Sequence, residues 1–319
     1  MFSSLADKLV LSNGVQMPGI GFGTWQVPTD STLENAVSAA LKLGYRFFDT
    51  AQIYGNASAI GRGVLLSDLP RAEIFISSKI WTSHRSYDGV MRAFTDIIEQ
   101  LKTTYLDQLL IHWPATQGEP MIWQSQNAGT WRALEDLYEQ GAVKVIGVSN
   151  FLPHHLVPLL ARARIRPMVN QLEIHPGYPQ FAAVNFCFKQ NIAVQAWSPL
   201  GRGGLTHHPL LIELGEKYGV SPAALEPAAR LHTCRESTRC GTHEVQSRRL
   251  RPHTRGRGHD APRHDAAGRL LGTAPRHRHL LTTPSHESPP FTKKAGFLVT
   301  ENRHALRSVF VPLENFEPV

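Results

Sequence analysis

Short, nearly continuous apolar runs alternate with longer segments in which apolar residues recur every third or fourth position, over the first 225 residues of the chain. The first pattern suits strands buried on both faces, the second helices that lay one face on them. Residues 8–11 and 15–17, joined by Ser12-Asn13-Gly14, predict a short hairpin. A Gly-rich strand follows over 17–25. Ser31-Thr32-Leu33-Glu34 reads as a capping box, opening a helix whose apolar face is Leu33, Val37, Ala40 and Leu41 and which Gly44 ends. Further strands are predicted over 45–49, 74–79, 106–112, 143–148, 167–172 and 192–197. Helices are predicted over 57–66, 88–103, 130–140, 153–162 and 178–190, the second with Val90, Met91, Phe94, Ile97, Ile98 and Leu101 on one face.

Strands alternating with helices imply a parallel sheet and an α/β fold. Such a sheet either stays open, with helices on both sides, or closes into an eight-stranded barrel. The open dinucleotide-binding form carries Gly-x-Gly-x-x-Gly after a strand, and Gly19-Ile20-Gly21-Phe22-Gly23 has a different spacing. A (β/α)8 TIM barrel with an N-terminal hairpin is therefore expected, and in a barrel chemistry comes from the C-terminal ends of the strands. Those ends carry Thr24, Asp49, Lys79, His112, Ser149-Asn150, Asn170-Gln171 and Trp197-Ser198. Singly, each has a structural reading as a helix cap, a half-buried ring or a satisfied core histidine. Together they converge on one mouth.

The stretch "DTAQIYGN", residues 49–56, shows what that mouth can do. Tyr54 lies one short loop beyond Asp49. A phenol with a pKa of about 10 is a weak acid at neutral pH, and a nearby ammonium lowers that value. Lys79 can supply the ammonium, and Asp49 the counter-ion that a half-buried lysine needs. His112 can hydrogen-bond a substrate oxygen. The set suits protonation of a carbonyl oxygen by Tyr54. It calls for a hydride source, because no metal cluster or nucleophile–base pair accompanies it.

"GFGTW", "DTAQIYGN", "ISSKIW", "LLIHWP", "IGVSNF", "VNQLEIHP" and "AWSPLGRG" stand in the order and at the spacing of the aldo-keto reductases. From about residue 8 to 225 the chain resembles that family, and among its members the prokaryotic 2,5-diketo-gluconate reductase type. The resemblance implies a catalytic tetrad of Asp49, Tyr54, Lys79 and His112. It implies that Ser149, Asn150 and Gln171 hold a nicotinamide carboxamide, with Thr24 and Asp49 beside them, and that Trp197 stacks on the ring. The loop Ser198-Pro199-Leu200-Gly201 would receive a pyrophosphate through backbone N–H groups. Trp25 and Trp113, with Tyr54 and His112, would line the substrate pocket. The expected cofactor is NADPH and the expected partner a small carbonyl compound. Ala57 departs from the Glu usual after "YGN".

Composition changes the picture after residue 225. Residues 1–225 hold 17 Lys and Arg against 17 Asp and Glu, and residues 226–319 hold 16 against 9, so the whole net charge of +7 lies in the second part. That part has 9 of the 16 His and none of the chain's Trp, Tyr, Met or Ile. The family's eighth strand, of the type "VIPKS", and the Arg that grips a 2′-phosphate are absent where the resemblance would put them. Pro227 falls where a helix is due. Such a change fits a shifted reading frame in a GC-rich gene better than a genuine basic extension. The expected organisation is a barrel of seven strands over 1–225 and a basic, disordered or frame-shifted tail over 226–319, with the eighth strand missing or scrambled. Weak NADPH binding and aggregation are the expected consequences. The alternative to an active reductase is an inactive frame-shifted product or pseudo-enzyme without the 2′-phosphate clamp.

Other partners are not expected. The basic tail lacks the interleaved aromatics of a nucleic-acid binder. His232, Cys234, Cys240 and His243 do not have a standard zinc spacing. No apolar run reaches the length of a membrane span. Three cysteines make no disulfide framework, and the first residues do not read as a signal peptide, so the cytoplasm is expected. A monomer is expected from the family.

Overall fold

Phe47-Phe48, Phe75-Ile76 and Leu109-Leu110-Ile111 place bulky apolar groups on successive positions. A backbone so furnished buries both faces only inside a shell of helices. The computed structural model describes residues 4–114, 122–219, 221–222 and 309–311. All fall in the unit formed by Met1–Arg235 with Val299–Val319.

A hairpin of β1 (Lys8–Val10) and β2 (Gln16–Pro18) opens the fold, with Leu9 opposite Met17 and both buried. Seven parallel strands follow: β3 (Ile20–Gly23), β4 (Phe47–Asp49), β5 (Phe75–Ile80), β6 (Gln108–Ile111), β7 (Ile146–Ser149), β8 (Val169–Glu173) and β9 (Ala193–Trp197). From β4 on, each pairs with its predecessor in sequence order. Between and after them run α1 (Ser31–Lys42), α2 (Ala57–Leu65), α3 (Tyr87–Leu101), α4 (Trp123–Glu139), α5 (Pro153–Leu160), α6 (Phe181–Lys189) and α7 (Pro209–Tyr218). The predicted faces are buried: Leu33, Val37, Ala40 and Leu41 on α1, and Val90, Phe94, Ile97 and Leu101 on α3.

The eighth place in the ring, expected to be missing or scrambled, is filled by a short strand from far along the chain. β10 (Val309–Val311) pairs parallel with β3, Val309 opposite Ile20 and Val311 opposite Phe22, and with β9, Val309 opposite Ala196, so the barrel closes. An open β3 and β9 would each leave a row of backbone donors and acceptors unpaired, and Val-Phe-Val is a good strand former. These three residues pair with both open edges of the seven-stranded sheet. The region directly after residue 225, where the strand was sought, lies outside the described residues.

Two local expectations are also corrected. Helix α1 is capped by Asp30, whose carboxylate accepts from Thr32 N–H at 2.8 Å. Glu34, expected in a capping box with Ser31, instead pairs with Arg62 of α2 at 2.7 Å. Helix α4 begins at Trp123, well before the predicted 130. Its first turn, Gln124-Ser125-Gln126, has no apolar face to register in a periodicity.

Candidate active site

Strand β4 ends on Asp49 and β5 carries Lys79 near its end, so the two side chains meet inside the barrel mouth. Lys79 Nζ donates to Asp49 Oδ2, and to the Thr50 carbonyl at 2.9 Å. Lys79 is 1% exposed and Asp49 5%. Burial pushes the ammonium below the usual lysine range, and the Asp49 charge works against that. Tyr54 ends a turn of 3-10 helix, Gln52–Tyr54, that Gly55 terminates at a φ of +63°. Its ring centre is 5.3 Å from Lys79 Nζ and 5.8 Å from the His112 ring, which it meets edge to face.

Asn56 fixes this loop to the neighbouring strand end. Buried at 2% exposure, it donates to the Thr24 carbonyl at 2.8 Å and accepts from Thr50 Oγ1 at 2.6 Å. Thr24 in turn donates through Oγ1 to the Asp49 carbonyl at 2.9 Å. The short segment between Asp49 and Tyr54 is thus braced at both ends.

The expected direction of the Tyr54 shift is reversed. Burial, then the nearby Asp49 charge, raises the phenol pKa well above its usual value. The Lys79 charge is already matched by Asp49, so little of it is left to favour a phenolate. Tyr54 is therefore a protonated donor throughout the neutral range. Burial, helped by the Lys79 charge, pushes His112 down to about 2, and its imidazole is neutral. Its Nδ1 has no hydrogen-bond partner among the described residues.

Across the mouth, hydrogen-bond donors are largely committed. Ser149 Oγ donates to the Gln171 carbonyl at 2.9 Å. Asn150 Nδ2 donates to the His112 carbonyl at 3.0 Å and to Ser149 Oγ at 3.1 Å, while its Oδ1 accepts from Trp197 Nε1 at 3.0 Å. Gln171 Nε2 donates to Asp49 Oδ1 at 3.2 Å and to Gln195 Oε1 at 3.1 Å. Ser149, Asn150 and Gln171 keep acceptor lone pairs, a set that suits a ligand –NH2.

A cavity of about 310 Å³ joins these groups. Thr24, Trp25, Asp49, Tyr54, His112, Trp113, Ser149, Asn150, Gln171, Trp197 and Ser198 all line it. Lys79 lies beneath the lining, against Asp49. Leu200 is buried, and at Gly201 a Cβ would come within 2.8 Å of Leu205 Cγ; neither residue lines the cavity. The loop offers fewer amides than expected, since Gly201 N–H donates to the Ser198 carbonyl at 2.9 Å and Pro199 has none. Trp81, Ile53 and Arg202 line the cavity without having been singled out. Trp81 packs edge-on against His112 at 5.0 Å, and the Arg202 guanidinium lies 4.9 Å over the Trp25 ring. Trp81 sits in the quoted "ISSKIW" and Arg202 in "AWSPLGRG", so their positions were the available signal.

Residues 19–223 match the sequence model of the Aldo/keto reductase family, and the match ends where the composition changes. The chain belongs to that family and is an oxidoreductase. Glyoxal reductase of Bacillus subtilis (strain 168) is 43% identical over 223 residues, 70% of this chain and 78% of that protein. The 9,11-endoperoxide prostaglandin H2 reductase of Trypanosoma cruzi (strain CL Brener) is 42% identical over 218 residues, 67% of this chain and 74% of that one. Among solved structures, an aldo/keto reductase from Brucella melitensis superposes with a TM-score of 0.64 at 39% identity, over 70% of this chain and 83% of its own. A mutant of Gox0644 in complex with NADPH gives a TM-score of 0.63 at 37% identity, over 69% and 77%. Among the described residues no cluster of His, Cys, Asp or Glu could hold a metal ion, and no helix is long and apolar enough to cross a membrane. The four tail residues weighed for zinc lie outside the described residues.

Proposed function

We propose that the chain reduces small aldehydes or ketones to alcohols with NADPH, Tyr54 giving the proton to the carbonyl oxygen. The observation that carries this reading is the packing of Tyr54, the Lys79–Asp49 pair and neutral His112 at one cavity. NADPH, when bound, supplies the hydride to the carbonyl carbon. The fit rests on the acceptor-rich rim of Ser149, Asn150 and Gln171, which matches the –NH2 of a nicotinamide carboxamide, with Trp197 held by Asn150 to stack on the ring. His112 orients the carbonyl oxygen, and Asp49 holds Lys79 beside Tyr54, whose phenol stays protonated until it donates. Trp25 and Trp113, at 43% and 41% exposure, form the outer walls that receive the substrate. The likeness to the Gox0644 mutant in complex with NADPH supports the choice of a nicotinamide cofactor. The segment in which the family grips a 2′-phosphate lies outside the described residues, so the choice of NADPH over NADH is part of the proposal.

The test is NADPH oxidation by the purified full-length chain with a simple aldehyde, alongside Tyr54→Phe. The parent should turn over, and the variant should lose about a hundredfold or more in kcat. NADPH binding, read from nicotinamide fluorescence, should stay within about twofold of the parent. Full turnover by Tyr54→Phe would reject the assigned acid. A parent that neither binds NADPH nor turns over would favour the inactive, frame-shifted alternative, which the comparisons do not support.

A further inference from the structure

Two amides below the cavity have no place in the proposed chemistry. Gln108 on β6 and Gln195 on β9 are both fully buried, in strands whose neighbouring residues are Leu109, Val194 and Ala196. They exchange hydrogen bonds: Gln195 Nε2 donates to Gln108 Oε1 at 3.1 Å, and Gln108 Nε2 donates to Gln195 Oε1 at 3.0 Å. Gln108 Nε2 also donates to Ser77 Oγ at 3.0 Å, and Gln195 Nε2 meets Met17 Sδ at 2.9 Å. Gln195 Oε1 accepts a second bond, from Gln171 Nε2.

An amide side chain turned end for end occupies nearly the same volume, so its partners decide its orientation. Here one charge decides three. The Asp49 carboxylate only accepts, so Gln171 must turn its nitrogen toward it. The second N–H of that nitrogen then needs an acceptor, and Gln195 Oε1 provides it. Gln195 is thereby oriented, its nitrogen faces Gln108 Oε1, and Gln108 is oriented in turn. Ser77, whose hydroxyl can donate or accept, ends the chain. With its nitrogen committed to Asp49 and Gln195, Gln171 has only Oε1 left to offer a ligand.

We infer that Gln195 and Gln108 are positioning residues, whose paired amides hold Gln171 so that it presents its carbonyl oxygen to the cavity and selects a ligand group that donates there. This rests on the proposed role of Gln171 at the nicotinamide carboxamide. Without the pair, the second Gln171 N–H loses its buried acceptor, and the side chain is free to leave Asp49 or to turn.

The test compares the full chain with Gln195→Met, which keeps length and removes both polar atoms, and Gln195→Glu. The carboxyl group introduced by Gln195→Glu, kept protonated by burial, retains an acceptor toward Gln171 and a donor toward Gln108. NADPH affinity should fall about tenfold in Gln195→Met and recover in Gln195→Glu. The affinity of 2′,5′-ADP, which lacks the nicotinamide, should be unchanged in both. Unchanged NADPH affinity in Gln195→Met, or an equal loss for both ligands, overturns the inference. Side-chain amide exchange, followed by NMR without cofactor, gives an independent reading. The Gln171 –NH2 of the parent should be protected, and protection should be lost in Gln195→Met. An unprotected Gln171 amide in the parent overturns the inference even where a variant does not fold. Failure of the parent to bind NADPH rejects the proposed cofactor and leaves the exchange result to decide the positioning role.

Discussion

His112 illustrates how burial, helped by a neighbouring charge, sets a charge state. Its imidazole is pushed down to about 2 by burial and by Lys79, from an ordinary value of 6.5. Below pH 6.5 the unfolded chain takes up a proton there that the folded chain does not. Stability attributable to this residue is therefore complete above pH 6.5 and is lost as the pH falls toward 2, at about 1.4 kcal/mol per pH unit. Half-buried His155, lowered to about 4 chiefly by burial, acts in the same direction over a narrower window. In urea unfolding between pH 7 and 4, His112→Gln should show a shallower pH dependence than the parent, by about one proton. Parallel curves would mean that the buried ring is not neutral. The cluster of Asp49, Lys79 and His112 was legible because polar groups interrupt apolar strand ends, with Tyr54 one short loop beyond Asp49. The protonation of Tyr54 was not, because its sign depends on how deeply the ring is buried and on Asp49 already matching Lys79. Gln108 and Gln195 also left a signal, an amide inside an otherwise apolar strand, but a lone amide says nothing of its partner across the barrel.

Strands and helices were legible to within a few residues wherever an apolar period ran unbroken, as in α3 and β9. Polar first turns, as in α4, and caps set by a single side chain, as at Asp30, were not. Glycines show a further limit. Gly147 in β7 has no unusual φ, yet a Cβ there would stand 2.5 Å from the Val169 carbonyl oxygen and 2.8 Å from Leu110 Cδ2. The strand requires glycine because its neighbour's backbone lies too close, which the sequence does not reveal. Gly147→Ala should cost about 1–3 kcal/mol in denaturant unfolding, since backbone must shift to admit the methyl group. Gly129 in α4 has nothing within 4 Å of its Cβ position. Gly129→Ala should instead stabilise by up to about 1 kcal/mol, through helix propensity. Equal effects at the two sites would count against the close approach at Gly147.

At the scale of the molecule the ring of seven strands followed from their regular alternation with helices, while the closing strand did not. Three residues, Val309-Phe310-Val311, are too short to stand out, and the strand was sought in the segment that follows residue 225. Because Phe310 pairs with Gly21 of β3, proline there would remove a backbone donor from the ladder. Phe310→Pro should lower stability by about 1–3 kcal/mol and raise light scattering at equal protein concentration. A variant indistinguishable from the parent would show that closure by β10 does little to hold the barrel. The position of this strand also bears on how the protein is made. Residues 198–308 separate β9 from the strand that pairs with it. At ~5–20 residues per second, synthesis of that stretch takes on the order of ten seconds. Throughout that interval the nascent chain carries a seven-stranded sheet with two open parallel edges and no partner yet made. The ribosome-bound intermediate, more than the finished barrel, is the species for which a chaperone would matter most.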